Sequence, residues 1–176
     1  MNWPTVFQQI IVSFVPLLIV FFFVYQMMKS FFEQFDNQRK QELRLRFSQE
    51  TLPIRLQAYE RMALLLERIT PESMIMRTMQ PGMNVLDLQK ALVNSIREEF
   101  EHNLSQQIYI SANAWAMVTA ARQSMIQLIG ETASELNQSD NCSKLATDVL
   151  TEYANAKNDP LALAKALLRE EVKEIL

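Results

Sequence analysis

The sequence predicts an all-α protein: a single N-terminal transmembrane helix, a stalk, and a cytoplasmic multi-helix bundle. Three observations carry this. The first 28 residues contain no charged side chain, and an apolar helix of about 20 residues spans a hydrocarbon core about 30 Å thick. Beyond them, apolar residues recur at helical spacing in segment after segment, between caps and first-turn prolines. Two glycines in 176 residues leave nothing from which to build a glycine-rich phosphate loop or a dinucleotide fingerprint. The expected organisation is an anchor at 1–28, a juxtamembrane stalk at 29–50, a helical core domain at 51–139 and a C-terminal helical hairpin at 140–176.

The anchor is centred on Ile10–Val24, where Ser13 is the one hydroxyl. Trp3 and Tyr25 flank it, 22 residues apart, about 33 Å along a helix, and both amphipathic rings suit the headgroup layer. Lys29 follows and can snorkel outward. Pro16 removes one helical hydrogen bond inside the span. A cleaved signal peptide is the competing reading. Against it stand the missing basic n-region, the long Phe-rich run and the lack of a small-x-small cleavage site. A lipoprotein signal needs a cysteine directly after the run, and the sole cysteine is Cys142. Lys29, Arg39, Lys40, Arg44 and Arg46 all follow the span, so the positive-inside rule puts the N-terminus outside and the remainder in the cytoplasm. One thiol closes no internal disulfide, which fits a reducing compartment. A net charge of −3 offers no broad basic face for nucleic acid.

In the stalk, Met28, Phe31, Phe32 and Phe35 continue an apolar stripe, and Asp36–Lys40 and Glu42–Arg46 are i,i+4 pairs in the favourable order. Leu43 and Phe47 resume the stripe. The first breaker is Thr51-Leu52-Pro53, which predicts a new helix with Pro53 in its first turn. Together with Pro71 and Pro81, Pro53 argues against one long uninterrupted stalk of the ATP synthase b type. The new helix places Tyr59, Met62, Leu66 and Ile69 on one face, widened by Leu64 and Leu65. Thr70-Pro71-Glu72 then starts a short helix, although Met74, Met76 and Thr78 would also share a strand face.

Gln80-Pro81-Gly82-Met83 has the chemistry of a type II turn. Asn84 caps the next helix, with Asp87 completing an approximate capping box. There Leu88, Leu92, Ile96, Phe100 and Leu104 repeat every four residues, favouring oblique packing. Helical periodicity lapses at QQIYIS, and Ser111 caps a helix expected over 112–136. Trp115, Val118, Met125 and Ile129 form its seam, and Arg122 is the sole charge between Asn103 and Gly130. Two readings fit: a central core helix, or a protein interface that makes the chain a homo-oligomer. Asn137–Ser143 is a polar loop in which Cys142 is expected to be an exposed thiol. Helices at 144–156 and 160–175 complete the chain, the second capped by Asp159 before Pro160.

No catalytic motif, cofactor site or small-molecule site emerges, so a non-enzyme is expected. One pattern invites metal chemistry. Glu99-x-x-His102 puts a carboxylate and an imidazole on one helix face, as di-iron bundles do with two such motifs and two further glutamates. A homodimer with Glu60 or Glu67 as partner carboxylates would complete such a site; a solvated helix face is the plainer account. Met74, Met76 and Met79 lie close together and could offer thioethers to copper(I), although core filling explains methionine as well.

The segments LPIRLQAYERMALLLERI (52–69) and IREEFEHNLSQQIYISANAW (96–115) resemble an uncharacterised family of membrane-anchored helical proteins from Bacteroidetes. The resemblance covers about half the chain, roughly residues 50–130, and does not extend to 140–176. It implies a bacterial inner-membrane setting and assigns no activity, ligand or catalytic residue. The function expected from all this is a scaffold or accessory subunit of a membrane assembly of transport or secretion type, with the metal-binding homodimer as the alternative.

Overall fold

A computed structural model describes the backbone of residues 3–176 and the side chains of residues 19–34, 38, 39, 42, 47 and 49–176. The described chain is all-helical: α1 (Trp3–Arg68), α2 (Pro71–Thr78), α3 (Val85–His102), a 3-10 turn (Leu104–Ile108), α4 (Ala112–Ser134), α5 (Cys142–Asn155) and α6 (Pro160–Ile175). It divides into two compact units, residues 1–50 and 51–176.

The first unit lies wholly within α1. Its described apolar side chains, from Ile19 to Phe32, are exposed on every side of the helix. Ser30 satisfies its hydroxyl internally, donating to the Gln26 carbonyl at 2.9 Å. Among the described residues, no helix is long and apolar enough to cross a membrane. Most of the span expected at 1–28, with Ser13, Pro16 and the Trp3 side chain, lies outside the residues whose side chains are described.

The helix start expected at Pro53 is not there: α1 continues through it to Arg68. Proline lacks the N–H that would bond the carbonyl of Gln49, but Gln49, Pro53 and Ile54 are all exposed, so water can take that carbonyl. With Pro53 inside a helix, the case it made against a long stalk falls; Pro71 and Pro81 do mark breaks.

Among the described residues, every buried apolar side chain of the core, from Ala58 to Leu168, lies in the second unit. Helix α4 is its axis, packed against α3, α5 and α6, while α2 closes against α3 and α5. The local rules work well here. Asn84 accepts from Asp87 N–H at 2.9 Å in a complete capping box. Asp159 accepts from the amides of Leu161 and Ala162. Gly82 has φ +88° in a turn closed by Met83 N–H to the Gln80 carbonyl at 3.3 Å, a conformation that favours glycine. Thr70 departs from expectation: its hydroxyl turns back to the Glu67 carbonyl at 2.9 Å and caps nothing ahead.

A long-range pairing has no local signal. Val85 N–H donates to the Asp140 carbonyl at 3.0 Å, and Cys142 N–H to the Met83 carbonyl at 3.3 Å, which ties the start of α3 to the start of α5. This corrects the reading of Cys142. It opens α5 and is only 3% exposed, because the pairing turns it inward.

Candidate functional site

The sequence of α1 beyond residue 50 leaves it two uses: a core face and two flanking surfaces. Tyr59 ends up on the core side, yet its hydroxyl needs a partner there. It donates to Glu171 Oε2 of α6 at 2.7 Å and accepts from the Ser111 amide at 3.3 Å. Ser111 caps α4 through the Ala114 amide at 2.9 Å and donates to Glu171 Oε1 at 2.7 Å. One carboxylate thus receives two short charge-assisted bonds and locks α1, α4 and α6 together. Burial first, then the bond to Glu171, raises the Tyr59 phenol above its ordinary value. With one bond to each of its oxygens, Glu171 serves as a clamp between the three helices.

That clamp sets α6 antiparallel beside α1, leaving a groove of about 400 Å³ between them. Its floor is apolar: Leu56, Ala63, Leu168 and Val172. Ala63 is the smallest residue of that lining. The lips differ in charge, with Glu60 and Glu67 from α1 facing Lys165, Arg169 and Lys173 from α6. Lys165 Nζ meets Glu67 Oε1 at 3.0 Å and closes one end. An apolar trough with opposed charged lips is suited to an amphipathic segment of another protein.

On the opposite flank of α1, Gln57, Arg61, Leu64, Arg68, Glu99 and His102 line a polar groove. The Glu99 carboxylate is held by Arg68 Nη1 at 3.1 and 3.2 Å and by Arg77 Nη1 at 3.4 Å. Two guanidinium groups therefore occupy it, and His102 is exposed. Among the described residues, no three His, Cys, Asp or Glu side chains converge as metal ligands. Nor do the methionines gather: Met74 is buried in the core and Met76 is 85% exposed.

The α4 seam faces inward. Val118, Met125 and Ile129 are fully buried within the unit, and Trp115 packs half-buried on Phe100, ring centroids 5.0 Å apart. The outer face of α4 is Ala112, Asn113, Ala116, Ala120, Gln123 and Gln127, so few charges are needed to keep it wet. Of the anchor residues, Tyr25 and Lys29 are exposed, and the Trp3 side chain lies outside the described residues. Sequence reasoning missed the Tyr59–Ser111–Glu171 clamp. Ser111 announced itself only as a cap, and nothing local marks Glu171.

A family model described as "Family of unknown function (DUF7935)" matches residues 5–175, nearly the whole chain. No curated protein and no solved structure matches.

Proposed function

We propose that this chain, which belongs to the DUF7935 family of unknown function, is a single-pass protein of a bacterial inner membrane whose helical domain binds protein on the cytoplasmic side. In this reading it is a scaffold or accessory subunit of a transport or secretion assembly. The observation that carries it is the run Ile19–Met28: its apolar side chains are 49–76% exposed, and ten consecutive helical residues point in every direction. A helix apolar all round, with no protein over it, is at home in hydrocarbon. The charge-free composition continues upstream through residues 1–18, and the basic residues after the run support an inward-facing domain. The binding role rests on the groove between α1 and α6.

The anchor is tested by a reporter active only in the periplasm, fused after Leu176, together with alkaline extraction of membranes. A silent reporter on a protein that resists extraction is expected; an active reporter or a readily extracted protein would reject the topology. The binding role is tested by a photo-crosslinking residue at Ala63 in native membranes, with Glu152 as the control position. A discrete protein adduct at Ala63 alone is expected, and equal labelling at both positions would remove the groove from the reading.

A further inference from the structure

The groove between α1 and α6 carries two charged rows above its apolar floor. Lys165, Arg169 and Lys173 follow one another at i,i+4 spacing on α6, and Glu60 and Glu67 stand two turns apart on α1. At the helical rise, each row runs roughly 10–12 Å. The rows meet at one end, where Lys165 Nζ lies 3.0 Å from Glu67 Oε1. Lys173 bonds Glu170 of its own helix at 2.7 Å. Among the described residues, Glu60 and Arg169 enter no ion pair, and both are exposed. Past the other end the apolar floor goes on. Leu52, one turn before Leu56, is half-buried. Leu176, whose N–H donates to the Val172 carbonyl at 3.2 Å, lies one turn past Val172 and is 81% exposed.

Both walls of the groove are helices, so their backbone groups are already bonded within each helix. An extended segment would find no backbone partner there, whereas a helix satisfies its own. The floor calls for an apolar stripe, and two rows of opposite sign call for two edges of opposite sign. We propose that the groove takes an amphipathic helix of a partner protein, with acidic side chains along the edge over α6 and basic ones along the edge over α1. At about 5.4 Å per turn, such a helix sets one charge per turn against each row. An acyl chain with a single anionic head would serve the α6 row and leave Glu60 and Glu67 facing a like charge. Arg169 and Glu60 decide the preference, because their charges are exposed and unspent within the domain. This inference rests on the protein-binding reading of the groove and names the occupant's chemistry.

The test uses full-length protein in phosphatidylcholine nanodiscs, with empty nanodiscs as the blank. Fluorescein-labelled helical peptides with a leucine stripe are titrated against it and read by anisotropy. One carries glutamates along one edge and lysines along the other, a second has glutamates on both edges, and a third has lysines on both. The two-signed peptide is expected to bind saturably, at least fivefold tighter than either single-signed one, and more weakly at high salt. Arg169→Glu should reverse the order, so that the all-lysine peptide binds it better than it binds wild type. Glu60→Lys should do the same for the all-glutamate peptide. Both positions are exposed, so the variants are expected to fold, and thermal melts check this. No saturable binding, equal binding of the three peptides, or folded variants without the reversal overturns the proposal. Displacement of the peptide by an equal concentration of dodecanoate makes the groove a site for an anionic amphiphile and overturns it too. So does a peptide that disperses an oligomer of the chain as it binds, since a second copy is then the occupant. The Ala63 crosslink reads whether a protein occupies the groove, and the reversal reads which edges its helix carries, so the two readings fail separately.

Discussion

Glu171 is where three helices are decided by a single side chain, because Tyr59 and Ser111 both donate to it. Tyr59→Phe removes a bond to a charged group and should destabilise residues 51–176 by about 1.5–3 kcal/mol, read from the urea midpoint. The Tyr59 phenol is raised by burial and then by Glu171; Tyr153 is pushed up further, by burial and then by Asp159. A phenol whose folded pKa exceeds its unfolded value near 10 stabilises fully below about pH 10, and that contribution is lost as pH rises through the folded value. Stability measured from pH 9 upward should therefore fall, and less steeply in the double variant Tyr59→Phe/Tyr153→Phe. At Gly82 the strain is purely conformational, since an added Cβ would meet nothing within 4 Å. Gly82→Ala should destabilise by about 1–2 kcal/mol through its positive φ alone, again read by denaturant.

At the scale of elements, α1 and α4 each reward a separate test. Pro53 sits inside a continuous helix at an exposed position. Pro53→Ala restores the missing hydrogen bond and should stabilise the helix by up to about 3 kcal/mol, visible as slower amide exchange around residues 50–57. Helix α4 answers the question its composition raises. Its seam is covered by α3, α5 and α6, so Val118→Asp buries an unpaired charge and should abolish folding, a loss above about 4 kcal/mol. A folded Val118→Asp protein of altered oligomeric state would instead mark the seam as a contact between chains.

Among the described residues, the buried apolar side chains all belong to residues 51–176. About 126 residues suffice for one core, so this unit should fold alone and unfold cooperatively in urea. With Ala, Asn and Gln on the outer face of α4, light scattering should report a monomer at micromolar concentration. Any self-association of the full chain then resides in residues 1–50.

Sequence alone determined what depends on neighbours within about four positions. The all-helical class, the caps at Asn84, Ser111 and Asp159, and the turn at Gly82 follow from hydrogen bonds that close within one turn. The inward seam of α4 was legible as one of two readings, because periodicity shows which face is apolar but not what covers it. Tertiary structure decided the rest. Cys142 is buried because Met83 and Val85 pair with the loop before α5, and Glu99 faces two arginines 22 and 31 residues upstream. Glu171 reaches Tyr59 across 112 residues. Arg122 lies over the Phe100 ring, 22 residues upstream. Which side chains meet over such separations is set by how the helices pack, and a helix pattern specifies a face without naming the partner that will lie against it.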